Sequence, residues 1–223
     1  MASRGSRVVE IKYCGLTRAQ DAAEAVACGA TYAGVIFARG PRLLDETRAL
    51  EVFAPLAGTA VRRVGVFGGQ APAEIARVAD ATALHVIQLH DGATLDALLM
   101  LRSGFGGELW TSLAVSGADV PIHDDLIAER IDAVVLDTAV AGRSGGTGIA
   151  FDWAAAAPAV ARLRARTRVV LAGGLRPSNV RRALDVLSVD VVDVSSGVEL
   201  TPGIKDPELM RAFAHAARSR EER

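Results

Sequence analysis

The chain has 223 residues, enough to bury one large core and, as an α/β barrel, to form one domain. Half of the residues are hydrophobic and 4% aromatic, while a formal net charge of -1 leaves no electrostatic footprint for nucleic acid. Two cysteines exclude a dense disulfide framework, Met1 to Arg7 lacks the apolar stretch of a secretory signal, and no apolar run approaches the ~20 residues that span a bilayer.

The first apolar run, Val8–Tyr13, breaks into Cys14-Gly15, and the alanine-rich Arg18–Cys28 follows at helical period, with Thr17 as its start signal. The alternation repeats with strand Tyr32–Phe37 and helix Asp45–Leu56, strand Val61–Phe67 and helix Pro72–Asp80, then strand Val86–Leu89 and helix Thr94–Ser103. Strand Leu109–Ala114 leads to the weaker helical segment Asp119–Arg130, and strand Ala133–Leu136 to Phe151–Arg164, where Asp152 marks the start. Strand Val169–Ala172 precedes helix Pro177–Leu187, and strand Val191–Val194 precedes the closing helix Pro207–Arg218.

Near-continuous runs of Val, Ile and Leu suit strands buried on both faces of a parallel sheet. Eight such strands alternating with eight helices predict a single (β/α)8 TIM barrel over residues 1–223, with 1–7 and 219–223 as loose termini. An open doubly wound sheet is the rival, but it should carry G-x-G-x-x-G after its first strand, and none follows here.

Barrel enzymes build their sites from the loops after the strands. Here the strand ends carry Cys14-Gly15, Arg39-Gly40-Pro41-Arg42, Gln88-Leu89-His90, Asp137-Thr138, Gly173-Gly174 and Ser195-Ser196-Gly197. Gly173 and Gly174 let backbone amides approach a ligand, and Ser195, Ser196 and Gly197 can start a short helix whose amides favour an anion. Barrels frequently bind phosphate between these two loops, although the glycines can also simply turn the chain.

Cys14 and Asp137 then face each other across the predicted mouth. A thiol with an ordinary pKa near ~8.5 needs help to act as a base at neutrality, and Lys12, on the same strand face, is placed to stabilise a thiolate. Asp137 needs a raised pKa, through partial burial, to act as an acid. A buried small hydrophobe is the rival reading of Cys14, and Cys28 keeps that reading. His90 lines the pocket or serves as a structural imidazole, and Arg42 is either a ligand-binding or a solvated arginine.

Six motifs occur in order from Lys12 to Asp206: Lys12-Tyr13-Cys14-Gly15-Leu16-Thr17, Gln88-Leu89-His90, Leu136-Asp137-Thr138, Gly145-Gly146-Thr147-Gly148 with Phe151-Asp152-Trp153, Leu171-Ala172-Gly173-Gly174-Leu175, and Asp193 to Glu199. Together they resemble the phosphoribosylanthranilate isomerase family of tryptophan biosynthesis.

The resemblance implies an Amadori rearrangement of a phosphorylated small molecule without metal or organic cofactor. It further implies Cys14 as general base, Asp137 as general acid, Arg42 on the anthranilate carboxylate, and Gly173, Gly174, Ser195, Ser196 and Gly197 at the phosphate. Lys12, Gln88 and His90 are further pocket candidates.

The departures are Arg39-Gly40-Pro41 before Arg42, Val66-Phe67-Gly68-Gly69 after the third strand, and Tyr13 where the family more often has Ile. Tyr13 is expected to face away from Cys14. The rivals on the same barrel are a histidine-pathway or dual-substrate isomerase, in which an Asp stands where this chain has Cys14, and a non-catalytic sugar-phosphate-binding barrel. A cytoplasmic monomer or homodimer with reduced thiols is expected, with no nucleic-acid or membrane partner.

Overall fold

A computed structural model describes residues 8–91, 94–115, 120, 131–140, 143–144 and 152–219. The predicted helix at 119–130, apart from Val120, most of the glycine stretch at 142–148 and Phe151 lie outside the described residues. Strands β1 (Glu10–Tyr13), β2 (Tyr32–Ile36), β3 (Arg62–Phe67), β4 (Val86–Leu89), β5 (Glu108–Val115), β6 (Ala133–Val140), β7 (Arg168–Leu171) and β8 (Val191–Val194) are all parallel neighbours. The order runs from β5 back to β1 and on through β8, β7 and β6; pairing of β5 with β6 closes the barrel.

Around it lie α1 (Ala19–Ala27), α2 (Glu46–Phe53), α3 (Pro72–Ala81), α4 (Leu95–Gly104), α5 (Trp153–Arg164), α6 (Val180–Val186) and α7 (Pro207–Arg218). Asp45, Thr94, Asp152 and Asp206 cap their helices by accepting amide hydrogen bonds. α7 buries Met210, Phe213, Ala214 and Ala217, a stripe of helical spacing. Tyr13 packs into this layer, on the side of β1 away from Cys14, as expected. Its hydroxyl donates to Met210 O at 2.7 Å and its ring meets Phe213 edge-on at 6.2 Å.

Three local expectations change. Thr17 does not cap α1; its hydroxyl donates to Gly203 O instead, and Arg18 stands at the cap position without a side-chain capping bond. α6 begins at Val180 rather than Pro177, because Asn179 is drawn into the preceding turn: its Oδ1 accepts from Arg176 N at 2.8 Å and its Nδ2 donates to Gly174 O at 2.9 Å. β6 runs past Leu136 to Val140, where it pairs antiparallel with Arg143–Ser144, so Asp137 lies inside a strand, opposite Ala114. A second short hairpin, unanticipated, pairs Glu199–Thr201 with Ile204–Lys205 after β8.

Alternation along the strands stacks the inward side chains in layers. At the N-terminal end Arg168 binds Glu10 at 2.6 Å and the Tyr32 hydroxyl at 2.9 Å, Arg62 pairs with Glu108, and the Arg62 guanidinium lies 5.6 Å from the Tyr32 ring centre. Above this charged layer Tyr32 and Trp110 meet edge-on at 4.8 Å among Val64, Val86, Val170 and Val191. Trp110 is fully buried. We expect Trp110→Ala to cost about 3–5 kcal/mol of unfolding free energy, read by urea titration; a loss near zero would mean that this layer does not hold the barrel.

Candidate active site

The C-terminal mouth of the barrel holds a cavity of about 300 Å³. Its lining includes Cys14, Arg42, Gln88, His90, Asp137, Gly173, Gly174, Asp193, Ser195, Ser196 and Gly197. Every candidate site residue named from the sequence therefore reaches this cavity except Lys12. A wider hollow of about 470 Å³, beside Cys28, Arg211 and His215, opens on the helical layer away from the strand ends.

Cys14 follows β1, with its amide bonded to Val194 O at 2.9 Å. The thiol is buried and packs over Gly34 of β2. An added Cβ at Gly34 would lie 3.3 Å from Cys14 Sγ and 3.3 Å from Lys12 Cε, so the bare glycine makes room for both side chains. Lys12 is thus close to the thiol, as its place on the strand suggests. It is also committed elsewhere: β1–β8 register sets it beside Asp193, whose Oδ2 accepts from the ammonium at 2.5 Å.

Burial pushes the Cys14 thiol up; Lys12 and, more weakly, Lys205 oppose this, but Asp193 adds to the rise and the net shift is upward. Lys12 thus acts on the thiol in the direction its place on the strand suggests, but burial outweighs it. Burial disfavours the Lys12 ammonium too, but Asp193 and Cys14 outweigh it and hold its pKa above the lysine range.

Asp137 is half-buried and faces the same cavity from β6. β7 and β8 separate its strand from β1 on the near side of the barrel, so thiol and carboxyl approach from different walls. Gln88 donates to Ser112 Oγ at 3.4 Å, and its Oε1 accepts no hydrogen bond from the described residues. Asp193 Oδ1 and Ser195 Oγ are likewise buried without a bond among the described residues.

The loops after β7 and β8 meet at the other end of the cavity. Gly173 and Gly174 have φ of 82° and 68°, the left-handed region that favours glycine. Gly197 is required by close approach, since an added Cβ would fall 1.8 Å from Leu175 O. Ser196–Val198 forms a short 3-10 turn, and Ser196, Gly197, Gly174 and Arg176 line a cleft of about 240 Å³. Arg176 was not anticipated; it directly follows the Gly173-Gly174-Leu175 turn, which was the available signal.

Arg42 is not a solvated arginine. Its Nε donates to Glu199 Oε1 at 2.8 Å and its Nη2 to Glu199 Oε2 at 2.6 Å. Its stem crosses Gly15, where an added Cβ would lie 2.5 Å from Arg42 Cδ. Glu199, Lys205 and Asp193 were not assigned roles from the sequence. The Pro202-Gly203 turn between Glu199 and Lys205 was the signal for the hairpin that pairs them. Among the described residues no His/Cys/Asp/Glu cluster could hold a metal, and no helix is long and apolar enough to cross a membrane.

Fold and cavity together define a (β/α)8-barrel enzyme whose reactive side chains gather at the C-terminal mouth. Residues 11–216 match the family model for N-(5'-phosphoribosyl)anthranilate (PRA) isomerase. The N-(5'-phosphoribosyl)anthranilate isomerase of Pseudomonas aeruginosa strain LESB58 is 37% identical over 213 residues, covering 95% of this chain and 96% of its own.

Phosphoribosyl anthranilate isomerase from Thermotoga maritima superposes with a TM-score of 0.80 at 33% identity, over 94% of this chain and 98% of that one. A phosphoribosyl anthranilate isomerase in complex with reduced 1-(o-carboxyphenylamino)-1-deoxyribulose 5-phosphate superposes with a TM-score of 0.77 at 31% identity, over 94% and 98%. The chain belongs to the N-(5'-phosphoribosyl)anthranilate isomerase family.

The upward shift of the thiol has a measurable consequence. In a Cys28→Ser background, alkylation of Cys14 by iodoacetamide should rise with pH as thiolate forms, with a midpoint above the ~8.5 of a free cysteine. A midpoint near neutrality would show that Lys12 outweighs burial after all.

Proposed function

We propose that this chain isomerises N-(5'-phosphoribosyl)anthranilate to 1-(2-carboxyphenylamino)-1-deoxyribulose 5-phosphate, a step of tryptophan biosynthesis. The observation that carries the reading is the convergence of Cys14, Asp137 and the two glycine-serine loops on one cavity in a member of this family. The loops after β7 and β8 are the proposed phosphate anchor. They offer backbone amides, the unbonded Ser195 hydroxyl and a neighbouring Arg176. Arg42 is the proposed anchor for the substrate carboxylate, because a planar guanidinium matches it in a fork.

With both ends held, the ribose lies between the thiol and the carboxyl. Asp137 donates a proton to the ring oxygen, the C1'–O bond breaks, and the nitrogen lone pair forms an iminium. The positive charge acidifies the C2' proton, which the Cys14 thiolate removes. The electron pair neutralises the iminium and leaves an enolamine, which tautomerises to the ketone. Atoms and charge balance with no external oxidant or reductant.

A thiolate held high by burial is a strong base once formed, and the iminium beside it is the charge it best offsets. Lys12, held by Asp193, lies beside the thiol and favours its thiolate against the effect of burial.

Cys14→Ala and Asp137→Asn should each lower kcat by about 10²–10⁴ while inorganic phosphate still inhibits as in wild type. The assay generates substrate in place from anthranilate and phosphoribosyl pyrophosphate. Near-normal kcat in either variant would remove that residue from its role. Comparable turnover of the histidine-pathway aminoaldose by the wild-type enzyme would replace the narrow reading with a dual-substrate one.

A further inference from the structure

Glu199 is the least expected polar residue near the cavity. Its side chain is 4% exposed, yet two cations close on it. Arg42 takes both oxygens through its Nε and Nη2 edge. Lys205, fully buried, donates to Glu199 Oε1 at 2.8 Å and to Ser195 O at 3.1 Å. Burial alone would raise the Glu199 carboxyl; the two cations outweigh it and keep the pKa below the ordinary range.

The hairpin that carries the pair is fixed to α1: Lys205 N donates to Asp21 Oδ2 at 3.3 Å, Arg18 donates to Lys205 O at 3.1 Å, and Thr17 donates to Gly203 O. Glu199 therefore cannot move independently of the barrel wall.

The geometry has a chemical consequence. A guanidinium has a side edge, Nε with one Nη, and an end edge made of both Nη groups. Glu199 occupies the side edge, so the end edge is what Arg42 has left for a ligand. Arg42 is thereby fixed in rotation as well as in position. One carboxylate between two cations leaves the cluster with one positive charge, enough to receive one substrate carboxylate. Through Lys205, the same Glu199 oxygen that holds Arg42 Nε is tied to the Ser195 carbonyl, at the start of the β8 loop. The spacing between the two proposed anchors is thus set by one buried side chain.

We propose that Glu199 is a positioning residue for substrate specificity: it orients Arg42 and fixes its distance from the β8 loop, selecting arylamine ribosides that carry both a carboxylate and a phosphate. This rests on the reading of Arg42 as the carboxylate anchor, and the test separates the two. Wild type, Arg42→Ala, Glu199→Gln and Glu199→Asp are compared on N-(5'-phosphoribosyl)anthranilate and on the aniline analogue that lacks the carboxylate. The readout is the ratio of kcat/KM between the two substrates.

In Arg42→Ala the preference for the carboxylate should disappear. In Glu199→Gln it should fall by about tenfold to a hundredfold, mainly through KM for the anthranilate substrate, the loss expected for a misdirected charge-assisted hydrogen bond. Glu199→Asp keeps the charge on a shorter stem and should retain part of the preference, which also covers the case that Glu199→Gln folds poorly.

If Arg42→Ala loses the preference while both Glu199 variants keep it in full, Glu199 has no positioning role. If both substrates suffer equally in the Glu199 variants, its role is merely structural. If Arg42→Ala keeps the preference, the carboxylate anchor lies elsewhere and the inference falls with it.

Discussion

A buried ammonium and carboxylate, Lys12 and Asp193, hold β1 against β8 at the floor of the cavity, which Asp193 lines. Breaking such a pair by removing one partner leaves an uncompensated buried charge, at a cost of about 3–5 kcal/mol. The rest of the mouth is arranged around it. Cys14 shares the space over Gly34 with the Lys12 stem, and Ser195 begins the loop two residues beyond Asp193. Lys12 opposes the effect of burial on the thiol and Asp193 adds to it, so the pair acts on Cys14 as well as on the two strands it joins.

From that pair outward, charge is handed along the wall in alternating sign. Asp193 balances Lys12, and Glu199 balances Arg42 and Lys205, with one cation in excess facing the cavity mouth. The barrel thus places this cluster, with its excess positive charge, beside the cavity that Arg42 lines. A low-dielectric wall makes this arrangement sensitive to single charges.

The strands were legible because parallel strands buried on both faces read as unbroken runs of Val, Ile and Leu, and the six motifs marked the family. Elements governed by distant partners were not. Asp137 looked like a strand end because the apolar run gives way to a glycine-rich stretch; pairing with Arg143–Ser144 carries β6 onward. Thr17 and Pro177 have the chemistry of helix starts, but Thr17 is claimed by Gly203 O, and Asn179 holds the chain in a turn after Pro177.

Cys14, Arg42 and the glycine loops could be placed on one mouth from sequence order alone. That Arg42 would meet a glutamate 157 positions away could not, because a single sequence does not show which charged residues converge.

The charged layer at the opposite end of the barrel, Glu10, Arg62, Glu108 and Arg168 around Tyr32, lies apart from every group that faces the cavity. The fold therefore has two separate poles, one that opens into the cavity and one that is closed by ion pairs. Heat tolerance can be gained or lost at the lower pole by recruiting or deleting ion pairs, whose desolvation cost falls as temperature rises. Such changes at the lower pole can leave the residues that line the cavity untouched.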